Sequence, residues 1–360
     1  MNAHYSVCLP DYTAGSEAYL DAAKEALRYG SRLLLVGGKR ALAAGRDKLT
    51  AALGADAEIV HTEVFTGHCT DAEALEVADL ARAYRADILC GMGGGRVIDT
   101  VKAAGEYTGL PVFTFPTIAA TCAAVTALSV VYNEDGTFSR LFHLKQPPVH
   151  AFIDTDILAK SPPKYLRAGM GDSLGKHVET AFCARGSVWT HGDTLGLSIA
   201  GGLMASMELH GAAAMEEITA GQSGAALLHM SLLNIVSVGC VSLLVREEFN
   251  SALAHSLYYS LEGKPGMEDC LHGDVVAWGA AAQLTLDGQM DKARSLLQLL
   301  RAIGTRCSLK EMGADINSPA ILSAIREAEH KPDMSFLPYP ISADQILDAV
   351  LLVERMAEEV

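Results

Sequence analysis

Between residues 33 and 115 the chain repeats one alternation: a short apolar run closed by a turn residue, then a stretch with helical periodicity. Leu33-Leu34-Leu35-Val36 closes on Gly37-Gly38, and Arg40 to Leu53 follows, rich in alanine and leucine. Ala57 to Val60 is a second strand candidate. Asp71 to Tyr84 has apolar residues at 72, 75, 78, 80 and 81 with acids between them, which predicts an amphipathic helix capped by Asp71. Ile88-Leu89-Cys90 closes on Gly91, Val97 to Ala104 is the next helix, and Val112-Phe113-Thr114-Phe115 is a fourth strand. Runs this apolar suit strands buried on both faces, and strand–helix alternation is the pattern of a parallel sheet covered by helices. Asn133-Glu134-Asp135-Gly136, between Val130-Val131-Tyr132 and Phe138, predicts a β-hairpin turn.

The pattern changes after Ser161-Pro162-Pro163, a linker or helix start. Residues 192–215, 218–245, 272–286, 290–303 and 343–358 read as helices, and no strand is convincing there. A length of 360 residues fits two domains. Residues 1–160 form the α/β part and 161–360 the all-α part.

Composition narrows the function classes. The chain is 50% hydrophobic, enough for a large core. A formal net charge of −15 repels a phosphate backbone and excludes a general nucleic-acid binder, while leaving room for one locally held phosphate. None of the eight cysteines forms a C-x-x-C pair, which fits reduced thiols in a cytoplasmic protein. Met1-Asn2-Ala3-His4-Tyr5 lacks the start of a signal peptide. Residues 218–245 contain no Asp, Glu, Lys or Arg, yet carry Gln222, Ser223, His229, Ser231, Asn234 and Ser237. They read as a buried core helix, with no membrane partner.

Gly91-Met92-Gly93-Gly94-Gly95 follows a strand and opens a helix. Glycines there let a backbone approach a pyrophosphate, and free N–H groups at the helix start bind its charge. The spacing departs from G-x-G-x-x-G because Arg96 stands in the third glycine's place, and a plain strand-to-helix turn would look alike. The turns at Pro116-Thr117 and Gly37-Gly38 would share the carboxyl edge of such a sheet, where ligands bind. An acid at the end of the first run would hold a ribose 2′-hydroxyl and repel a 2′-phosphate. Gly38-Lys39-Arg40 stands there instead, which accommodates a 2′-phosphate or is simply a basic helix start.

Three segments of the helical half carry ligand-type residues. Gly169-Met170-Gly171-Asp172-Ser173 sets an acid between glycines at a helix head, Leu253-Ala254-His255-Ser256-Leu257 puts a histidine in an apolar helix, and Leu271-His272-Gly273-Asp274 begins another. Two imidazoles and a carboxylate are a common three-ligand set for catalytic zinc. A lone histidine on an apolar helix is more often a core residue, and spacing alone does not join the three segments.

Together these segments resemble the iron-containing alcohol dehydrogenase superfamily, in its glycerol dehydrogenase-like branch. The resemblance runs from Leu33 to about Leu351. It rests on Gly93-Gly94-Gly95-Arg96-Val97-Ile98-Asp99-Thr100-Val101-Lys102, Pro116-Thr117-Ile118-Ala119-Ala120-Thr121, Leu128-Ser129-Val130-Val131-Tyr132, Gly169-Met170-Gly171-Asp172, Ala254-His255 and Leu271-His272-Gly273, in the family's order. It implies the dehydroquinate synthase-like fold, an α/β nucleotide-binding domain at 1–160 and an all-α metal-binding, catalytic domain at 161–360, with the active site in the cleft. By this resemblance Asp172, His255 and His272 are metal ligands. Lys176 stands where iron-type members carry a fourth ligand, which favours Zn²⁺ over Fe²⁺. Gly93, Gly94 and Gly95 would hold the pyrophosphate, with Arg96, Val97 and Asp99 also in the coenzyme site and Gly38 and Lys39 at the end of the first strand. Thr117, Ala120, Thr126, Leu128 and Tyr132 would line the path toward the nicotinamide.

The departures concern substrate. Glycerol dehydrogenases carry an aspartate after Thr-Ile-Ala-Ser-Thr, and here Cys122 follows Thr121. Removing that charge suits an anionic substrate. Thr121-Cys122-Ala123-Ala124, Gly67-His68-Cys69 and Gly38-Lys39-Arg40 resemble the hydroxycarboxylate dehydrogenases, which reduce 2-oxo acids with NADPH. That branch often has a second histidine where Tyr258 stands, a departure that leaves the proton donor open among a metal-bound water, a cofactor ribose hydroxyl and Tyr258. The expectation is a homo-oligomeric oxidoreductase using NADP(H) in preference to NAD(H). A polyol dehydrogenase using NAD is the alternative, and a dehydroquinate synthase-like lyase a remote one.

Overall fold

The computed structural model describes residues 6–360. In chain order, the first part contains β1 (Asp11–Gly15), α1 (Ala22–Ala26), β2 (Arg32–Gly38), α2 (Lys39–Leu53), β3 (Glu58–Phe65), α3 (Asp71–Ala83), β4 (Ile88–Gly93), α4 (Gly95–Thr108), β5 (Val112–Pro116), β6 (Leu128–Tyr132), β7 (Phe138–His143), β8 (His150–Asp154) and α5 (Thr155–Leu158). The second part is helical throughout: α6 (Pro163–Cys183), α7 (His191–Thr219), α8 (Ala225–Leu232), α9 (Val238–Leu244), α10 (Leu253–Leu261), α11 (His272–Leu286), α12 (Met290–Ala302), α13 (Leu309–Met312), α14 (Pro319–Glu327) and α15 (Ala343–Glu359). Among the described residues the chain forms two compact units. One comprises Ser6–Pro163 with Glu216–Leu243, the other Lys164–Met215 with Leu244–Val360.

The α/β unit is built on a six-stranded parallel sheet in the order β1-β8-β5-β4-β2-β3, and β6 and β7 form a separate antiparallel hairpin. Leu33, Leu35, Ile88, Cys90, Phe113, Phe115 and Phe152 are fully buried, as expected of strands covered on both faces. Sequence reading misses β1 and β8. β1 is a half-exposed edge strand, Asp11-Tyr12-Thr13-Ala14-Gly15, with no apolar run to reveal it. In β8 only Ala151, Phe152 and Ile153 are apolar, between His150 and Asp154. β3 is longer than the expected Ala57–Val60, because the opposite edge tolerates His61, Thr62 and Glu63. Asp71 is not the cap of α3. The Thr70 side chain accepts from the Glu73 amide, and Asp71 pairs with Arg140 and accepts from the Tyr107 hydroxyl.

The stretch expected as one helix over 218–245 is interrupted. α7 ends at Thr219, Gly221 takes a left-handed turn (φ +67°), and a π turn at Leu233–Ser237 separates α8 from α9. Ala225–Leu244 is long and apolar enough to cross a membrane, but more than half of its most apolar part is buried in the protein. Asn234, in the π turn, donates to the Ala119 carbonyl at 3.0 Å, and Gly239 lies against Val125. Glu216–Leu243 therefore completes the α/β unit, whereas the sequence assigned it to the helical part.

The helical unit is centred on α11, which is buried from Gly273 through Thr285. A helix apolar on all sides belongs inside a core. Its Trp278 is fully buried and donates to Glu354 of α15 at 2.9 Å.

Candidate metal centre and coenzyme turn

Asp172 lies in the middle of α6, not at a helix head, because the helix already begins at Pro163. The glycines beside it serve close approach. A Cβ at Gly171 would lie 2.2 Å from the Gly273 carbonyl oxygen, one at Gly175 would lie 2.2 Å from Val276, and one at Gly273 would lie 1.7 Å from the Ala168 carbonyl oxygen. α6 and α11 thus touch backbone to backbone. α11 meets α10 similarly, since a Cβ at Gly279 would lie 2.8 Å from the Ala254 Cα. Interior helix glycines cost about 1 kcal/mol each against alanine. Here they allow three helices to crowd together at Asp172, His255 and His272.

The Asp172 carboxylate Oδ1 is 3.3 Å from His272 Nε2 and 3.6 Å from His255 Nε2. One ligand atom from each residue falls within 4.8 Å of the others. The three side chains are partly exposed, so the cluster keeps an open side. A convergent carboxylate and two imidazole nitrogens with one open side match the donor set of a catalytic divalent metal. Burial works against charge on both Asp172 and His255. Mutual pairing outweighs it: the two imidazoles hold the Asp172 carboxyl far below the usual range, and the Glu179 and Asp172 carboxylates push His255 up to about 10.

Four further residues surround the cluster; Glu179 and Arg167 carry no motif and were not found by sequence reading, whereas Lys176 and Tyr258 were noted as departures from the resembled family. Glu179, fully buried on α6, accepts His255 Nδ1–H at 2.5 Å. Arg167, also on α6, pairs at 3.2 Å with the buried Asp274, which in turn accepts from the Leu271 amide at the head of α11. Lys176 is buried and donates to the Asn250 carbonyl (2.6 Å) and side-chain oxygen (3.1 Å), so its ammonium braces the approach to α10. Tyr258 sets its ring edge-on to His272, with centroids 4.3 Å apart, and its hydroxyl donates to Glu262 at 2.6 Å.

In the α/β unit the glycine turn sits where β4 ends and α4 begins. Gly93 has φ +151° and no room for a side chain, because its Cβ would lie 2.6 Å from Val97. Gly94 is the N-cap of α4, with its Cβ position 2.7 Å from Ile118. Gly95 starts the helix and Arg96 is exposed. Asp99 is buried and turned inward, pairing with Lys102 at 2.9 Å and accepting from the Val130 amide, so its carboxylate does not serve a pyrophosphate directly. Lys102 itself faces the carbonyls of Ala123, Thr126 and Leu128. That one ammonium shapes the segment bearing Cys122, Thr126 and Leu128. Thr117 donates its amide to the Gly93 carbonyl at 3.1 Å, and Ala120 follows in the same loop. Tyr132 lies against His68, with ring centroids 5.6 Å apart. At the end of β2, Gly38 has open space where a side chain would go, and Lys39 and Arg40 are exposed.

Comparison with known proteins identifies the family and the fold. The model of the iron-containing alcohol dehydrogenase family matches residues 10–155. Hydroxycarboxylate dehydrogenase A of Escherichia coli K12 is 30% identical over 338 residues, covering 90% of each chain. Glycerol dehydrogenase of Citrobacter freundii is 30% identical over 309 residues, covering 83% of each chain. The crystal structure of a probable glycerol dehydrogenase from Sinorhizobium meliloti 1021 has the same fold, with a TM-score of 0.87 at 23% identity over 99% of this chain and 100% of that one. The chain is an oxidoreductase of the iron-containing alcohol dehydrogenase family.

Proposed function

We propose that the protein reduces a small 2-oxo acid to a 2-hydroxy acid with NADPH, using a divalent metal, zinc in preference to iron, held by Asp172, His255 and His272. The observation that carries the coenzyme assignment is the end of β2, where Gly38 leaves open space and Lys39 and Arg40 stand exposed instead of an acid. A ribose 2′-phosphate would meet cations there. The substrate assignment is supported by Cys122, a partly exposed neutral thiol where polyol enzymes of the resembled branch carry a carboxylate, and by the likeness to hydroxycarboxylate dehydrogenase A.

In this reading the free amides at the head of α4 take the pyrophosphate charge. The metal, when bound, would polarise the substrate carbonyl and stabilise the developing alkoxide. Asp172 and the two imidazoles fix where that carbonyl is held. Tyr258 supports the His272 ring. Lys176, committed to Asn250, leaves three protein ligands, the set that suits zinc.

A second reading, an NAD-linked glycerol or polyol dehydrogenase, is favoured by the glycerol dehydrogenases among the relatives. Coenzyme oxidation by the zinc-supplemented protein separates the two, with NADPH and NADH each offered 2-oxo acids and dihydroxyacetone. Turnover of 2-oxo acids with NADPH supports the proposal. Turnover of dihydroxyacetone alone, with NADH, replaces it by the second reading.

A further inference from the structure

We propose that Glu179 is the positioning residue that makes His255 a metal ligand, so that metal affinity depends on a carboxylate that never touches the metal. The inference rests on the metal reading of the Asp172–His255–His272 cluster.

Glu179 follows Asp172 by seven residues on α6, two helical turns, which puts both carboxylates on one face. Its oxygens divide the work. Oε1 accepts the backbone amides of Ala252 (2.8 Å) and His255 (3.0 Å), and Oε2 accepts His255 Nδ1–H (2.5 Å). The first pair satisfies amides at the start of α10 that have no partner within the helix. The second fixes the tautomer: with the proton on Nδ1, the lone pair on Nε2 points toward Asp172 and His272. One side chain therefore sets both the backbone carrying the imidazole and the rotation of the ring.

Charge supports the assignment. Glu179 is fully buried, and a lone buried carboxylate is costly. A divalent cation held beside Asp172 and Glu179 would bring the local sum of those three charges to zero. Replacing Glu179 by glutamine would leave that sum at plus one in the same buried volume.

Gln283 of α11 provides the control. It accepts the Leu253 amide at 3.1 Å, capping the same helix without touching the imidazole. Zinc affinity of the full chain is measured by competition with a chelator of known affinity, together with the visible spectrum of the cobalt-loaded protein. Glu179→Gln should weaken zinc binding about tenfold to a hundredfold and shift the cobalt bands. Gln283→Leu should lower the zinc-free melting temperature while changing zinc affinity less than about threefold. Equal losses of affinity in both variants would reduce Glu179 to a helix cap and overturn the assignment, as would wild-type affinity in Glu179→Gln. Should Glu179→Gln not fold, Glu179→Asp keeps the charge but withdraws it from the ring. Zinc binding weakened well beyond that of Gln283→Leu supports the assignment, and unchanged binding or a loss equal to that control overturns it. A wild-type chain that binds no zinc would overturn the metal reading itself, and this inference with it.

Discussion

Gly171 faces the carbonyl oxygen of Gly273 so closely that a methyl group on Gly171 would stand 2.2 Å from that oxygen. These two residues neighbour Asp172 and His272, so the spacing of two ligands is set by a contact between backbones. Gly171→Ala should destabilise the protein by about 1–3 kcal/mol and weaken metal binding, because α6 must move away from α11. Gly201→Ala is the contrast: it is an exposed glycine within α7 with nothing near its Cβ position, and the change should stabilise by about 0.5–1 kcal/mol. Denaturant unfolding of both variants measures the difference.

His255→Ala removes one of three donors and leaves Glu179 without its imidazole partner. Bound zinc and turnover should fall together, with circular dichroism unchanged. A zinc-free variant retaining full activity would contradict the metal reading.

Lys102→Met should be costly. It strands the buried Asp99 carboxylate and frees the carbonyls of Ala123, Thr126 and Leu128. Breaking one partner of a buried pair destabilises by about 3–5 kcal/mol. The segment from Cys122 to Leu128 loses its anchor, so KM for coenzyme should rise more than kcat falls.

Gly38→Asp tests the coenzyme assignment, and open space at that Cβ position means the side chain fits. A carboxylate there repels a 2′-phosphate and accepts a hydrogen bond from a 2′-hydroxyl. The ratio of kcat/KM for NADPH to that for NADH should fall at least about tenfold, equivalent to about 1.4 kcal/mol. An unchanged ratio would remove the argument from the end of β2.

Asp193 supplies an acid-dependent contribution to stability. Burial opposes its charge, but Arg246 at 2.5 Å and the amides of Thr190 and Arg246 hold its pKa down to about 2. A depressed carboxyl contributes fully above its unfolded value near about 3.9 and loses that contribution as pH falls toward 2. Unfolding free energy should therefore drop between pH 4 and pH 2 by about 1–2 kcal/mol more in the wild type than in Asp193→Asn.

Much of the fold was legible because buried parallel strands and amphipathic helices leave strong periodic signals. β2, β4 and β5 were found from their apolar runs, and α11 was placed at its observed limits, 272–286. Edge strands leave weaker signals, so β1 was missed and β3 shortened. Asp172, His255 and His272 were each visible as residues, but their convergence was implied only by the family resemblance and not by their spacing, because glycine contacts between helices distant in sequence bring them together. Glu179 and Gln283 stayed invisible for the same reason. A buried glutamate on an otherwise mixed helix has no local pattern, and its meaning depends on a ring 76 residues away in sequence.

The return of Glu216–Leu243 to the α/β unit also bears on how the chain is made. The Ala119 carbonyl and Val125 receive their partners Asn234 and Gly239 only from that late segment. The loop between β5 and β6 therefore lacks these partners when residue 163 leaves the ribosome. It must wait for them through synthesis of the next 80 residues, to Leu243. Cutting the gene at the end of β8 would yield a sheet with an unfinished face, prone to association, and not a smaller coenzyme-binding protein.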